Sequence, residues 1–204
     1  MAHAALFSMR TALFPFILCL ALLLGSCHSP PPIPAEQVSL RIDHCPTAEE
    51  IASWQQQGEL YELMIWIDGE GFATDGPPPK RFGDEELGQL ASIPQLRRLT
   101  LGGWDMAYSD MGLQALAAME HLEHLSLCQA PGVSDVGMKI VAQLPNLRSL
   151  DLTYTAVTDV GLEHLLDAPK LEEVSYGWAQ ASVRHLESFR QRHPEITWFD
   201  ATKL

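Results

Sequence analysis

The chain has 204 residues, of which 47% are hydrophobic, 19% charged and 8% aromatic. This composition is typical of a globular domain with a sizeable core, and it excludes a disordered chain, a collagen and a polytopic membrane protein. Lys and Arg number 13 against 26 Asp and Glu, so the formal net charge is −13. Because so acidic a surface repels phosphate backbones, we expect no nucleic-acid partner.

Residues 1–26 have the organisation of an export signal. Arg10 precedes an apolar run over residues 11–24, which is shorter than the roughly 20 residues that a membrane-spanning helix needs. The sequence Leu24-Gly25-Ser26-Cys27 follows and resembles the lipobox of bacterial lipoproteins. The resemblance implies that Cys27 is diacylated and becomes the mature N-terminus, which would anchor the protein by lipid in a bacterial cell envelope. A plain secretory signal and an uncleaved anchor are the alternatives.

Two short segments precede the main part of the chain. Residues 27–36 contain four prolines, which favour an extended polyproline geometry and prevent a packed element, so we expect a stiff tether or a disordered tail. In residues 37–59, an apolar alternation is followed by Thr47 and Glu50 in the spacing of a capping box. We predict that this second segment forms a strand and a helix that cap the fold.

From residue 60 to residue 204 the chain repeats itself. The pattern Leu-x-x-Leu-x-Leu starts at Leu96, Leu122 and Leu147 and, in degenerate form, at Leu171. A second motif, Ser/Thr-Asp-x-Gly, follows the first three copies, with its aspartate at Asp110, Asp135 and Asp159. Two independent markers that stay in step indicate true repeats. A weaker copy begins at Leu60, and Trp198 with Phe199 predicts a last strand.

The two motifs predict one structural unit. Alternation in the first motif places leucines on one side of a short strand and the intervening residues on the other. Ser or Thr in the second motif caps a helix, and the helix dipole favours the Asp that follows in the first turn. Because one such unit cannot bury both of its apolar sides, we predict an α/β solenoid of about five stacked units with parallel strands.

This pair of motifs resembles the leucine-rich repeat family, and in particular its cysteine-containing subtype. The resemblance covers roughly residues 60–200 and implies strands on an inner face with helices outside. Two features depart from the family pattern. The cysteine at the repeat end is missing, and the Asn that many such repeats place after the strand is replaced by Trp104, Ala130, Thr155 and Ala179.

The strand residues that alternate with the leucines form the predicted binding surface, because aromatic and Arg side chains there are favoured in interface hot spots. We expect a protein or peptide to contact Trp66, Arg98, Thr100, His124, Ser126, Asp151, Thr153, Tyr154, Glu173 and Trp178. Two alternatives stay open: solvated strand residues without a ligand, and an array that scaffolds an envelope complex. The insertion at residues 69–81, rich in Gly and Pro, is either a second contact region or a tolerated loop.

We expect no enzyme activity, no metal and no cofactor. His124, Ser126 and Asp151 match a nucleophilic triad in residue type, but residues two apart on a strand lie about 7 Å apart, too far for a Ser–His hydrogen bond. His121, His124 and Cys128 lack the additional ligand that would complete a tetrahedral zinc site.

Overall fold

A computed structural model describes residues 38–57, 60–68, 80–177 and 183–200, together with Thr202. Several sequence predictions fall on residues outside these ranges and stay predictions. They concern the export signal, Cys27, the proline-rich tether, Trp178 and residues 69–79 of the insertion.

One parallel sheet of seven strands organises the described chain, and the strands lie side by side in chain order. The strands are β1 (Val38–Ile42), β2 (Leu60–Trp66), β3 (Arg98–Gly102), β4 (His124–Leu127), β5 (Ser149–Asp151), β6 (Glu173–Tyr176) and β7 (Thr197–Asp200). Each strand runs parallel to the next one. The prediction of an α/β fold with parallel strands is therefore confirmed.

Helices lie between consecutive strands. They are α1 (Ala48–Gln57), α2 (Asp84–Leu90), α3 (Asp110–Leu113) with a 3₁₀ continuation (Gln114–Ala118), α4 (Asp135–Val141), α5 (Asp159–Leu165) and α6 (Val183–Arg192). The capping box predicted at the start of α1 is formed. The Thr47 N–H donates to the Glu50 carboxylate at 2.8 Å, and the Glu50 N–H donates to Thr47 Oγ1 at 3.2 Å.

The main hydrophobic core of the described residues lies between the sheet and the helices, and it extends from Ile42 of β1 to Trp198 of β7. Leu99 and Leu101 of β3 are buried in it, together with Leu113 of α3. Because successive strand residues face opposite sides, the residues between these leucines lie on the other side of the sheet. The core therefore fixes which strand side chains are available to form a site.

Candidate functional site

Two rows of mostly polar side chains cross the sheet on the side opposite the leucines, which we call the polar face. Parallel pairing aligns equivalent positions of neighbouring strands. The first row consists of Glu62, Arg98, His124, Ser149, Glu173 and Thr197. The second row consists of Met64, Thr100, Ser126, Asp151, Ser175 and Phe199. Six of the predicted binding residues thus lie side by side in these two rows.

Asp151 organises the hydrogen bonds in the middle of the polar face. Its Oδ1 accepts the Thr153 N–H at 3.0 Å and the Thr153 hydroxyl at 2.6 Å. Its Oδ2 accepts the Ser126 hydroxyl at 3.1 Å. Since the Asp151 side chain is buried, these bonds replace the hydration that the carboxylate loses. They also join β4 to β5 and fix the direction of the carboxylate.

The three residue types of a nucleophilic triad are present on the polar face, but in a different arrangement. His124 is paired across the sheet with Ser149, whereas Ser126 is paired with Asp151. The Ser126 hydroxyl donates to the Asp151 carboxylate. In a Ser-His-Asp triad the serine hydroxyl donates to the imidazole instead, which then takes its proton. The geometry therefore orders a hydroxyl group and does not place it against an imidazole base.

Charge is unevenly distributed along the first row. The Arg98 guanidinium lies over the Tyr61 ring, with 5.6 Å between Cζ and the ring centroid, a distance at which a cation is attracted to an aromatic face. Burial and the nearby positive charge of Arg98 lower the pKa of His124 to about 4. His124 is therefore neutral at pH 7 and offers one hydrogen-bond donor and one acceptor.

Most of the predicted binding residues are less accessible than the sequence suggested. Those that are 8% exposed or less are Trp66, Arg98, Thr100, Ser126, Asp151 and Thr153. His124, Tyr154 and Glu173 are half-buried. Neighbouring strands lie only about 4.8 Å apart, so short Ser and Thr side chains are shielded from solvent by the side chains on either side. A partner approaching the polar face would meet the half-buried residues first.

Trp66 packs within the polar face instead of projecting from it. Its ring lies so close to Gly102 on the next strand that a Cβ at that position would come within 2.5 Å of the ring. The Trp66 side chain also packs with Cys128, and its Nε1 donates to Asp68 at 2.8 Å. The absence of a side chain at Gly102 allows this close approach, which only the strand register reveals.

Two aromatic side chains lie beyond the C-terminal ends of the strands, and we call them the aromatic rim. Trp104 is 59% exposed, and its ring centroid lies 6.5 Å from that of Tyr154, with 58° between the ring planes. Tyr154 has a φ of 59°, a left-handed conformation that bulky residues rarely adopt. Both residues follow a strand in the sequence, but the sequence did not indicate that their rings are in contact.

A ladder of aspartates joins the helices, which the sequence alone did not reveal. Asp135, the first residue of α4, accepts the N–H of Thr158 at 2.7 Å and that of Gly161 at 2.9 Å. It also accepts the Thr158 hydroxyl at 2.7 Å. Asp84 and Asp110 each make the same set of three bonds to the start of the following helix.

The ladder explains why Asp and Gly recur together in the second motif. A Cβ at Gly161 would come within 2.5 Å of Asp135 Oδ1, so the glycine makes room for the aspartate of the preceding unit. The expectation that these aspartates serve the dipole of their own helix was incomplete, because their carboxylates bind the next helix. The signal that could have revealed this was the recurrence of an Asp followed 26 to 28 residues later by the Gly of the next copy.

Within the described ranges, no group of three or more His, Cys, Asp and Glu side chains is placed to hold a metal ion. Two of the residues that the sequence offered as zinc ligands lie in different environments, since His121 is exposed and Cys128 is buried. Among the same residues, no helix combines the length and the apolar character that crossing a bilayer requires.

A comparison of the chain with models of known protein families finds no match. A comparison with curated proteins finds none either. The fold and the arrangement of its side chains are therefore the basis on which a function is proposed.

Proposed function

We propose that this protein is a lipid-anchored leucine-rich repeat protein of the bacterial cell envelope, which binds a protein or peptide on its polar face and catalyses no reaction. The observation that carries the proposal is the alignment of two rows of polar side chains across neighbouring parallel strands. Stacked units present such rows as an extended surface, which suits a macromolecular partner more than a small molecule.

The strand order and the aspartate ladder support the assignment of repeats. Five units would begin with β2, β3, β4, β5 and β6, and Asp84, Asp110 and Asp135 each bind the unit that follows. In this proposal β1 and α1 cover the first unit, and β7 covers the last one. Covered ends keep the core of a stacked array away from water.

The half-buried positions of the first row are the proposed points of contact. His124, Ser149 and Glu173 stand next to one another on β4, β5 and β6. They offer a neutral imidazole, a hydroxyl group and a carboxylate, which together can bind the backbone and the polar side chains of a peptide. Glu62 and the net charge of −13 favour a partner with positive charge, because complementary potentials accelerate and orient association.

The proposal is tested by placing a large positive side chain on the polar face. The unchanged protein is first used in affinity purification from membranes to identify the envelope protein that it captures. Ser149→Arg and Glu173→Arg should each reduce the captured amount of that envelope protein at least tenfold. Glu187→Arg is the matched control, because Glu187 is exposed on α6 and lies away from the polar face. Equal capture by all variants, with unchanged thermal unfolding, would exclude this face.

The membrane anchor is tested separately. We expect the mature chain to begin at Cys27 and to carry acyl chains, as measured by mass spectrometry of the N-terminal peptide. Cys27→Ser should leave the protein unprocessed. A mature chain that begins elsewhere and carries no lipid would contradict the anchor and leave the binding proposal standing.

A further inference from the structure

We propose that the outer edge of β1 pairs with β1 of a second copy of this chain, in antiparallel orientation about a two-fold axis at Leu40. The contact lies at the end of the sheet, so this inference does not depend on a partner bound at the polar face. It assigns a role to a strand that the proposed function uses only as a cover for the first unit.

The backbone of β1 offers an edge for pairing. β1 is the first strand of the sheet, and within the described ranges it is paired only with β2. A strand in this position presents a row of N–H and C=O groups on its outer side, which can accept a further strand. The irregularity in the pairing of β1 with β2 places the extra residue, Tyr61, on β2. The five residues of β1 are therefore regular along their outer edge.

The core side of β1 is incompletely covered. Val38 is 38% exposed, whereas Leu63 on the neighbouring β2 is fully buried. Leu40 packs against the core but stays half-buried. The inner strands are flanked by a strand on each side, and β1 is flanked by β2 alone among the described strands. A second β1 would therefore remove apolar surface from water, which favours association.

The sequence of β1 is self-complementary in antiparallel register. With Leu40 opposite its own copy, Val38 stands opposite Ile42 of the second copy on the core side. On the polar side, Ser39 stands opposite Arg41 of the second copy. Every pair joins residues from the same side of the sheet, and no like charges stand directly opposite one another. A contact in which each copy uses the same surface closes as a dimer.

Charge favours the same arrangement. The Ser39 hydroxyl donates to the Glu62 carboxylate at 2.9 Å, so this half-buried acid lies directly beside Ser39. In the dimer, Arg41 of the second copy stands on the other side of Ser39, about 10 Å or two strand spacings from Glu62. The long, flexible arginine side chain can extend along the surface toward this carboxylate. The two-fold axis forms the contact twice.

The opposite edge of the sheet lacks these properties. On β7, Asp200 lies on the same side as the buried Trp198, because the two residues are one position apart on a strand. A charge on the inward side of an edge strand is a known means of preventing further pairing. β1 carries only Val38, Leu40 and Ile42 on that side. The two edges of the sheet therefore differ, and β1 is the one suited to pairing.

The dimer would also change how the polar face is presented. In antiparallel pairing with Leu40 opposite its copy, both chains keep their polar residues on the same side of the sheet. Two seven-stranded sheets would then join into one, with both polar faces directed the same way. A partner with two binding segments could contact both faces, which raises its apparent affinity.

Photocrosslinking of the full-length chain in bacteria that express it tests this proposal. Ser39, which is exposed on β1, is replaced by p-benzoylphenylalanine, and crosslinked species of twice the chain mass are mapped by mass spectrometry. We expect crosslinks from position 39 to residues 40–42 of a second copy. The same photoreactive residue at Thr197, which is exposed on β7, is the matched control and should give at least fivefold less dimer.

Two variants show whether β1 itself forms the contact. Val38→Lys should reduce the dimer crosslinked from position 39 at least fivefold, because it places a charge on the inward side of the pairing edge. Val38 is already partly exposed, so thermal unfolding should be unchanged. Thr197→Lys should leave the crosslink within twofold.

Three outcomes would overturn the proposal. Crosslinks from position 39 only to residues 1–37 of the same chain would assign the edge to that segment. Crosslinks only to a different protein would assign it to another partner. Absence of a crosslinked dimer in the folded protein would exclude pairing between copies at this edge.

Discussion

The aspartate ladder and the polar face both use one residue per unit, but they use it in opposite ways. Along the ladder the residue is always aspartate, and each carboxylate makes the same three hydrogen bonds. Along the first row of the polar face, equivalent positions carry Arg98, His124, Ser149 and Glu173. Identity from unit to unit therefore indicates packing of one unit on the next, whereas variation at a fixed position shows that packing does not dictate the residue there and leaves it free for the proposed recognition.

The largest expected effect comes from breaking the ladder at Asp84. Asp84→Ala removes the acceptor of the Ser109 N–H, the Gly112 N–H and the Ser109 hydroxyl, which are only partly exposed. Each unsatisfied group costs about 1–3 kcal/mol, so we expect the free energy of unfolding to fall by about 4 kcal/mol. Urea denaturation followed by circular dichroism measures this change.

The glycine partner of Asp84 provides a control for the mechanism. A Cβ at Gly112 would come within 2.5 Å of Asp84 Oδ1, so Gly112→Ala should also be strongly destabilising. In the Asp84→Ala background the same substitution should cost less, because the closest clashing atom is gone and only the backbone Cα of residue 84, at 3.0 Å, stays in tight contact. Additive losses in this double-mutant cycle would show that the two residues do not act together.

The sequence predicted the architecture because leucine alternation and the Ser/Thr-Asp-x-Gly motif both depend on local periodicity. Parallel strands followed from the spacing of Leu96, Leu122 and Leu147, since units of this length can only stack. The direction of the Asp84 carboxylate could not be predicted from the sequence, because its partners belong to the next unit. The dipole of its own helix was already enough to explain an aspartate in the first turn.

The candidate site was predictable in position and not in accessibility. Alternation placed Trp66 on the correct side of its strand, but its burial depends on Gly102 of the neighbouring strand. The pairing of Trp104 with Tyr154 spans an intervening unit and depends on a left-handed turn. Contacts of this kind are set by register and backbone geometry, which a single sequence does not reveal.

A second prediction concerns pH and the polar face. His124 binds a proton near pH 6.5 when the chain is unfolded, but its pKa in the folded protein is about 4. Between these values the unfolded state binds more protons, so stability falls as the pH is lowered and the loss is complete below about pH 4. The full loss amounts to about 3 kcal/mol, and His124→Asn should lack it.

The measurement is a set of urea denaturation curves between pH 7 and pH 4 for both proteins. A constant difference in stability across this range would contradict the burial of a neutral imidazole at this position. His44→Asn is the matched control, because hydrogen bonding to Glu50 raises the pKa of the exposed His44. The stabilising contribution of His44 is present below about pH 6.5 and is lost as the pH rises through the pKa of His44 in the folded protein. Stability from His44 therefore rises as the pH is lowered, whereas stability from His124 falls.

The smallest expected effect comes from Ser126 on the polar face. Ser126→Ala removes one hydrogen bond to Asp151, whose carboxylate keeps the two bonds from Thr153. We expect a loss of about 2 kcal/mol in the free energy of unfolding, because a hydrogen bond to a buried and charged acceptor oxygen is removed. This loss should be well below that of Asp84→Ala, because the ladder leaves backbone N–H groups unsatisfied.

Ser175→Ala tests whether the loss of stability in Ser126→Ala is caused by the missing hydrogen bond to Asp151. Ser175 is buried like Ser126 and stands beside Asp151 on its other side, so both substitutions remove the same hydroxyl group from the same row. The described bond to Asp151 Oδ2 comes from Ser126, and Ser175→Ala should therefore cost less. Equal losses would mean that any hydroxyl group in this row contributes the same amount. The hydrogen bond from Ser126 would then not be what fixes the direction of the Asp151 carboxylate.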